Sequence, residues 1–379
     1  MSSILKKKIA ILNQDSGYLM IDIANAYADE GYNVSVIAGR IVKRNHDLRK
    51  GIKQIKTIVY NRKSTFQRLY TWIFASLQML FIVWFRLRKH ELLIVSNPPF
   101  ASLLPFFFCN KFNLLVYDIY PDNLFELNIL SRNSLVVKLW QKANRKVFSR
   151  ANRIITITEG MKEVIQKYVK NKNVELISIW TDNDFLVPIP KNGNPFLTMH
   201  NLQNKFVVMY SGNIGISNDI EKLLKIAKKI KREDIIMVIV GEGSRKSYIE
   251  SLIKSDSIAN CIILPWQEVS MLPFSLSASD LSVIILGKNI SKLALPSKLY
   301  SLLSVGSPIL CISSQDSDLS SFIMTHDIGK SFNHEMEDQI VDYIYYIADN
   351  PLIKNKLCLN SLAASKNFTA TNAKKFINA

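Results

Sequence analysis

Cysteine is scarce in this chain of 379 residues, and the four present, Cys109, Cys261, Cys311 and Cys358, stand alone in apolar runs. Their spacing offers neither a metal cage nor a disulfide framework, so they are expected as reduced core residues of a cytosolic protein. Histidine is sparse too: His46, His90, His200, His326 and His334 share no ligand spacing, and are expected at the surface, with no metal site. Glycine (13) and proline (12) are too few for a low-complexity or collagen-like chain, and no internal repeat recurs at a fixed period. The start, MSSILKKKIAIL, lacks the long apolar segment of a signal peptide. Residues 8–12 are therefore expected as a first strand and the protein in the cytoplasm.

Negative charge is the most unevenly supplied quantity. Residues 1–180 hold 28 Lys/Arg against 12 Asp/Glu, a net of +16, whereas residues 181–379 hold 20 against 19. An excess confined to one half suits an acidic partner for that half, either nucleic acid or an anionic membrane surface. No helix-turn-helix, zinc-finger or RNP pattern is present, which argues against nucleic acid.

Two elements carry the excess. Between Arg68 and Arg86 lie 17 residues, LYTWIFASLQMLFIVWF, at the bottom of the transmembrane range. Their place between two expected strands excludes a spanning helix. A buried crossover helix remains possible, as does one whose outer face enters a bilayer interface; Trp72 and Trp84 near its ends, with Arg86 and Arg88, suit the second. The other element is the helix expected over 134–151, where Lys138, Lys142, Arg145 and Lys146 share a face at i, i+4 and i+7. A solvated face is its plain alternative. Two basic elements in one half favour an anionic bilayer.

With 48% hydrophobic residues the chain has material for two domains of average size. In the first half, strands are expected at 8–12, 33–38, 55–59, 92–96, 113–118, 154–158 and 174–179. Helices are expected at 18–30, 66–88, 134–151 and 160–170. The segment PIPKNG (188–193) followed by Asn194-Pro195 reads as a linker. The pattern then restarts, with strands at 205–210, 234–240, 260–264, 281–286 and 308–312. Its helices fall at 220–231 and 246–254, from Ser297 to Gly306, and over 371–378. Alternation of this kind makes doubly wound parallel α/β sheets. The expected division is 1–187 for a first domain, 188–204 for the linker, 205–365 for a second domain, and 366–379 for a helix able to pack back on the first.

Candidate chemistry sits where strands of the second half end. Gly212, Asn213 and Gly215 follow one strand, Gly241 and Glu242 a second, and Pro265, Trp266 and Gln267 a third. Glycine there lets backbone approach a ligand, although it also ends strands for purely steric reasons. In ALPSKLYSLLSVGSPIL (294–310), Ser297 is expected to cap a helix whose free amides, with Lys298, would seat a phosphate. In the first half, Gly17 follows the first strand. Asp118 and Asp122 of DIYPD follow another; Asp118 is placed to orient or deprotonate an acceptor hydroxyl, and Asp122 to cap the next helix.

The ordered set YSGNIG, VIVGEG, ILPWQ, ASDLSVIIL and PSKLYSLLSVGSPIL, with VYDIYPDNL and ANRIITITEGMKEVI earlier, resembles the GT-B glycosyltransferases. Within them it is similar to family 4, in a bacterial O-antigen and capsule subgroup that includes fucosamine-transferase-like proteins. The resemblance implies two Rossmann-like domains facing across a cleft, and retaining transfer from a nucleotide-sugar donor, UDP-linked, with no metal or other cofactor. It puts the donor diphosphate and sugar at Gly212 and Gly215, the base at Pro265–Gln267, the diphosphate at Ser297, and the ribose at the position of Ser301. The family's paired glutamates are replaced here by Leu293 and Ser301, its Arg and Lys after the first glycine loop by Asn213 and Asn218, and its His-Asp pair by Tyr117-Asp118. Lys298 is a partial replacement for the lost cations.

The reading that results is a peripheral glycosyltransferase on the inner face of the cytoplasmic membrane, acting on a polyprenyl-diphosphate-linked saccharide. A GT-B-fold sugar-nucleotide epimerase and an inactive membrane-bound scaffold of a polysaccharide assembly complex are the alternatives.

Overall fold

A computed structural model of the chain describes residues 7–61, 63–126, 131, 133–215, 218–287 and 295–377. Residues 1–180 and 370–379 form one compact unit, and residues 181–369 form another.

The first unit opens with β1 (Lys8–Leu12), β2 (Asp15–Ser16) and α1 (Tyr18–Asp29), then β3 (Asn33–Ala38), β4 (Arg40–Ile41) and β5 (Lys53–Lys56). The long α2 (Thr65–Arg86) leads to β6 (Glu91–Val95), a 3-10 helix (Pro99–Phe107), β7 (Phe112–Val116) and α3 (Asp122–Glu126). It ends with α4 (Leu135–Arg150), β8 (Ile154–Thr156), α5 (Glu159–Tyr168) and β9 (Val174–Leu176).

Apolar runs such as IAIL and LLIV are buried along their whole length, as a parallel sheet covered on both faces requires. The seven strands stand in the order β5-β3-β1-β6-β7-β8-β9, with Ile9 opposite both Val34 and Glu91. The chain winds from β1 out to β5, returns along α2, and winds the other way from β6 to β9. That reversal opens a crevice beyond the C-terminal ends of β1 and β6. The loops at 13–17, 96–98 and 117–121 surround it.

The edge strand stops earlier than expected, at Lys56 rather than residue 59. The Ile58 amide donates to Gln78 Oε1 at 2.7 Å and the Ile58 carbonyl accepts from Gln14 at 3.2 Å, so side chains take the bonds a longer strand would need. The tail returns to this unit as a 3-10 helix, Ala370–Phe376, where an α-helix over 371–378 was expected; residue 378 lies outside the described residues. There the Tyr27 hydroxyl and the Arg153 guanidinium donate to the Phe376 carbonyl at 2.8 and 2.7 Å.

The second unit runs α6 (Pro195–Met199), β10 (Phe206–Ser211), α7 (Glu221–Lys229), β11 (Ile235–Val240), α8 (Lys246–Ser255) and β12 (Cys261–Leu264). It continues with α9 (Leu272–Ser277), β13 (Leu281–Ile285), α10 (Lys298–Ser304), β14 (Ile309–Ile312) and α11 (Asp318–Thr325). β15 (Gly329–Phe332), α12 (Glu337–Asp349) and α13 (Pro351–Ser365) complete it. The six-stranded parallel sheet has the order β12-β11-β10-β13-β14-β15, so winding reverses between β10 and β13. Val208, Ile239, Val283 and Leu310 lie in its core.

Residues 188–204 do not behave as a free linker. Asn194 caps α6, its side chain accepting from the Phe196 amide at 3.0 Å, and Phe196 and Leu197 are fully buried. Asp280, itself buried, accepts from Lys191 Nζ at 2.5 Å, from Lys354 Nζ at 2.8 Å and from the Val207 amide at 2.9 Å. Residues 181–187, expected with the first domain, also join the second unit, where the Ser304 hydroxyl donates to the Leu186 carbonyl at 2.5 Å. Two further expectations fail: Cys109 is exposed, and His334 is 3% exposed, its Nε2 bonding to the Leu286 carbonyl at 2.8 Å.

Candidate functional site

The loops after β10 and β11 lie backbone on backbone. Gly212 donates its amide to the Val240 carbonyl at 2.9 Å, Ile214 to Glu242 at 2.8 Å, and Arg245 to Ile214 at 3.0 Å. A Cβ on Gly241 would stand 1.9 Å from the Gly212 carbonyl oxygen. Glycine at 241 is thus demanded by the neighbouring loop. Glu242, a candidate contact, is exposed and pairs with Lys246 at 2.6 Å.

Gly212 has a different neighbour. A Cβ there would meet the Lys298 ammonium at 2.4 Å and the Tyr210 hydroxyl at 3.2 Å. The ammonium lies 4.0 Å from the centre of the fully buried Tyr210 ring, a cation–π distance. No ion pair among the described residues involves Lys298. Desolvation without a compensating carboxylate pushes its amine down to about 7. Tyr210 donates its hydroxyl to the Asn213 carbonyl at 2.8 Å, which Asn218 also reaches at 2.6 Å. Asn213 is exposed, and its side-chain amide occupies the space a side chain at Gly215 would need.

Ser297 does not cap α10. It already has helical angles (φ −58, ψ −26) and makes no side-chain bond to the helix, because the chain turns one residue earlier, the Leu299 amide donating to the Pro296 carbonyl at 3.0 Å. Ser301, one turn along, is half-buried and shares a hydrogen bond of 3.2 Å with the Thr181 hydroxyl. Leu293 falls outside the described residues. In the loop after β12, Trp266 is 58% exposed, while Gln267 folds its amide back on the Pro265 carbonyl at 2.9 Å.

In the first unit, the Ser96 hydroxyl accepts from the amides of Tyr117 and Asp118 at 2.9 and 3.0 Å, fixing the loop after β7. Asp118 reaches solvent, yet the protein around it holds its carboxyl above the ordinary range, with the Asn123 amide, 3.0 Å away, pulling the other way. Asp122 starts α3 and accepts the Tyr168 hydroxyl. Gly17 precedes α1 in extended conformation, and a Cβ there would meet nothing closer than 4.0 Å. Beside it Arg40 grips Asp15 through two bonds of 2.9 and 3.0 Å, and Gln14 donates to the Thr71 carbonyl of α2 at 2.9 Å. Ser96 and Gln14 lie outside every motif of the sequence, and Tyr210, although it opens YSGNIG, gave no sign there of its contact with Lys298.

The outer face of α2 is apolar along its length: Phe66, Tyr70, Phe74, Leu77, Phe81 and Phe85 are all at least 44% exposed. The tryptophans expected to mark the membrane side are half-buried and engaged with protein. Trp72 stacks on Tyr60, and Trp84 donates its indole N–H to the Phe107 carbonyl at 2.7 Å. Arg86 and Arg88 are exposed, and so are Lys138, Lys142, Arg145 and Lys146 on α4. Leu135, Val136 and Leu139 of the same helix also face solvent.

Comparison with known proteins gives a family match within the second unit. Residues 199–357 match the family Glycosyl transferases group 1. The "Probable glycosyltransferase WbjE" of Pseudomonas aeruginosa is 25% identical over 239 residues, 63% of this chain and 59% of that protein. The chain thus matches less than two thirds of that relative's length. The "Putative colanic acid biosynthesis glycosyl transferase WcaI" of Escherichia coli K12 is 32% identical over 103 residues, 27% of this chain and 25% of the relative. Anabaena HepE, solved with UDP and glucose, superposes with a TM-score of 0.70 at 13% identity, covering 98% of both chains. The fold is that of the GT-B glycosyltransferases, two Rossmann-like domains in one chain.

Proposed function

We propose that this protein is a glycosyltransferase of surface-polysaccharide biosynthesis, moving a hexose-type sugar from a nucleotide-sugar donor to a lipid-linked saccharide with retention at the anomeric carbon. One observation carries the donor half of the reading: the Lys298 amine is held in the glycine loop after β10, desolvated and without a carboxylate partner among the described residues. A diphosphate supplies the negative charge such a group lacks, and the same contact stabilises the departing nucleotide. The match over residues 199–357 covers this loop, and HepE, of the same fold, was solved with UDP, so UDP sugars are the first donors to test. On the acceptor side, Asp118 follows β7 with its carboxyl held above the ordinary range, which suits a group that takes a hydroxyl proton.

The reading extends to location. An apolar helix face and an exposed basic helix, each packed on the 3-10 helix Pro99–Phe107, are the combination that binds anionic bilayers. These features support a location of the first unit on the inner face of the cytoplasmic membrane, where it would meet a polyprenyl-diphosphate acceptor.

The test is a thermal-shift panel of nucleotide sugars, followed by transfer of labelled sugar into lipid extracts. A selective shift with transfer is expected. A protein that no nucleotide sugar stabilises is not a transferase, and the scaffold reading replaces this one.

A further inference from the structure

Gly212 has no conformational need for its missing side chain. Its need is spatial. On one side its carbonyl abuts Gly241, where even a methyl group would stand at 1.9 Å, and its amide is tied to Val240 at 2.9 Å. The backbone at 212 therefore has nowhere to retreat. On the other side lies the ammonium of Lys298, 2.4 Å from where a Cβ would be. The segment SGNIG carries no cation of its own, and the charge beside it arrives from α10, some 86 positions later in sequence (298 against 212). Tyr210 completes the seat with its ring face.

We infer that Gly212 and Tyr210 are positioning residues for Lys298: the bare glycine and the ring face together seat the amine at the donor loop. This rests on the donor reading above only for what the amine then binds. Any added group at 212 must be absorbed by Lys298, the flexible end of the contact, so Gly212→Ala should fold normally while displacing the amine. Among the described residues, Tyr210 is a titratable group in contact with Lys298, and burial holds its phenol above the ordinary range, leaving it neutral. Among the described residues no carboxylate pairs with Lys298.

The experiment compares wild type, Gly212→Ala, Lys298→Met and the double variant. In the ligand-free protein, trace labelling with an amine reagent across pH, read by mass spectrometry, reports the protonation of Lys298. Half-reactivity near pH 7 is expected in wild type, and a rise of at least about one pH unit, toward the ordinary lysine range, in Gly212→Ala. An unchanged profile overturns the inference, whatever the donor proves to be. Calorimetry with UDP supplies the second readout. Each single variant should lose about tenfold in affinity and the double variant no more than either, because both changes remove the same contact. Multiplicative losses overturn the inference as well. A wild-type protein that ignores UDP while the labelling shift appears leaves the seat standing and removes UDP as its occupant.

Discussion

The Lys298 ammonium rests 4.0 Å above the Tyr210 ring and occupies the space a side chain at Gly212 would fill. A charge kept there costs stability until an anion joins it, which gives the site a pH signature. The amine is lowered from 10.5 to about 7 on folding. Between those values the unfolded chain holds a proton that the folded one releases, so this group favours folding increasingly as pH rises through that window. Lys298→Met should therefore be more stable than wild type at pH 7, by a margin that shrinks toward pH 10. Urea unfolding at both pH values measures it; a margin independent of pH would mean that Lys298 is as solvated as any surface lysine.

Asp118 should separate chemistry from donor binding. Asp118→Asn keeps the size and the Asn123 neighbour but cannot accept a proton, so transfer should fall by about a hundredfold or more with UDP affinity unchanged. In wild type, transfer should fail on the acid side at a pH above the ordinary carboxylate range, because the ionised form is required and its pKa is raised. A pH–rate profile for the wild type and an endpoint assay for the variant check both points; equal transfer rates would remove Asp118 from the reaction.

Asp280 is a matter of architecture rather than catalysis. Its buried carboxylate joins Lys191, Lys354 and the start of β10. Asp280→Ala leaves two ammonium groups without their partner and should destabilise the protein by about 3–5 kcal/mol, read as a lower urea midpoint. A loss under about 1 kcal/mol would show that the lysines find water at no cost.

Membrane binding should follow the phenylalanines, not the tryptophans. Replacing Phe74, Phe81 and Phe85 by serine ought to weaken co-sedimentation with anionic vesicles at high and low salt alike, since apolar contact is not screened. Changing Lys138, Lys142, Arg145 and Lys146 to glutamine should weaken it chiefly at low salt. Full sedimentation of the serine variant in high salt would show that the face of α2 stays in water.

The parallel α/β order was legible because runs such as IIMVIV and LLIV are apolar at every position, a pattern that only a sheet covered on both faces tolerates. What stayed hidden depends on partners far along the chain. Nothing near Gly241 reveals that the Gly212 carbonyl presses on it, and nothing near Gly212 reveals Lys298. For α2 the sequence showed a helix apolar all round with aromatic ends. Only the packing of Ala75, Met79 and Val83 against the unit sets its rotation, turning the phenylalanines outward and the tryptophans toward protein. Ser297 looked like a cap by residue type, but the Pro296 carbonyl had already closed the turn.

The tail has a practical consequence. Because residues 370–379 belong with residues 1–180, the chain passes between its units twice, and the first unit is discontinuous in sequence. Grafting a foreign donor unit would thus require an insertion between Trp180 and Ala370, not a fusion at one junction. A recombinant 1–180 would leave Tyr27 and Arg153 without the Phe376 carbonyl that satisfies both. Supplying 370–379 as a separate peptide should restore that carbonyl, turning the doubled connection into a split-protein reporter of the first unit's folding.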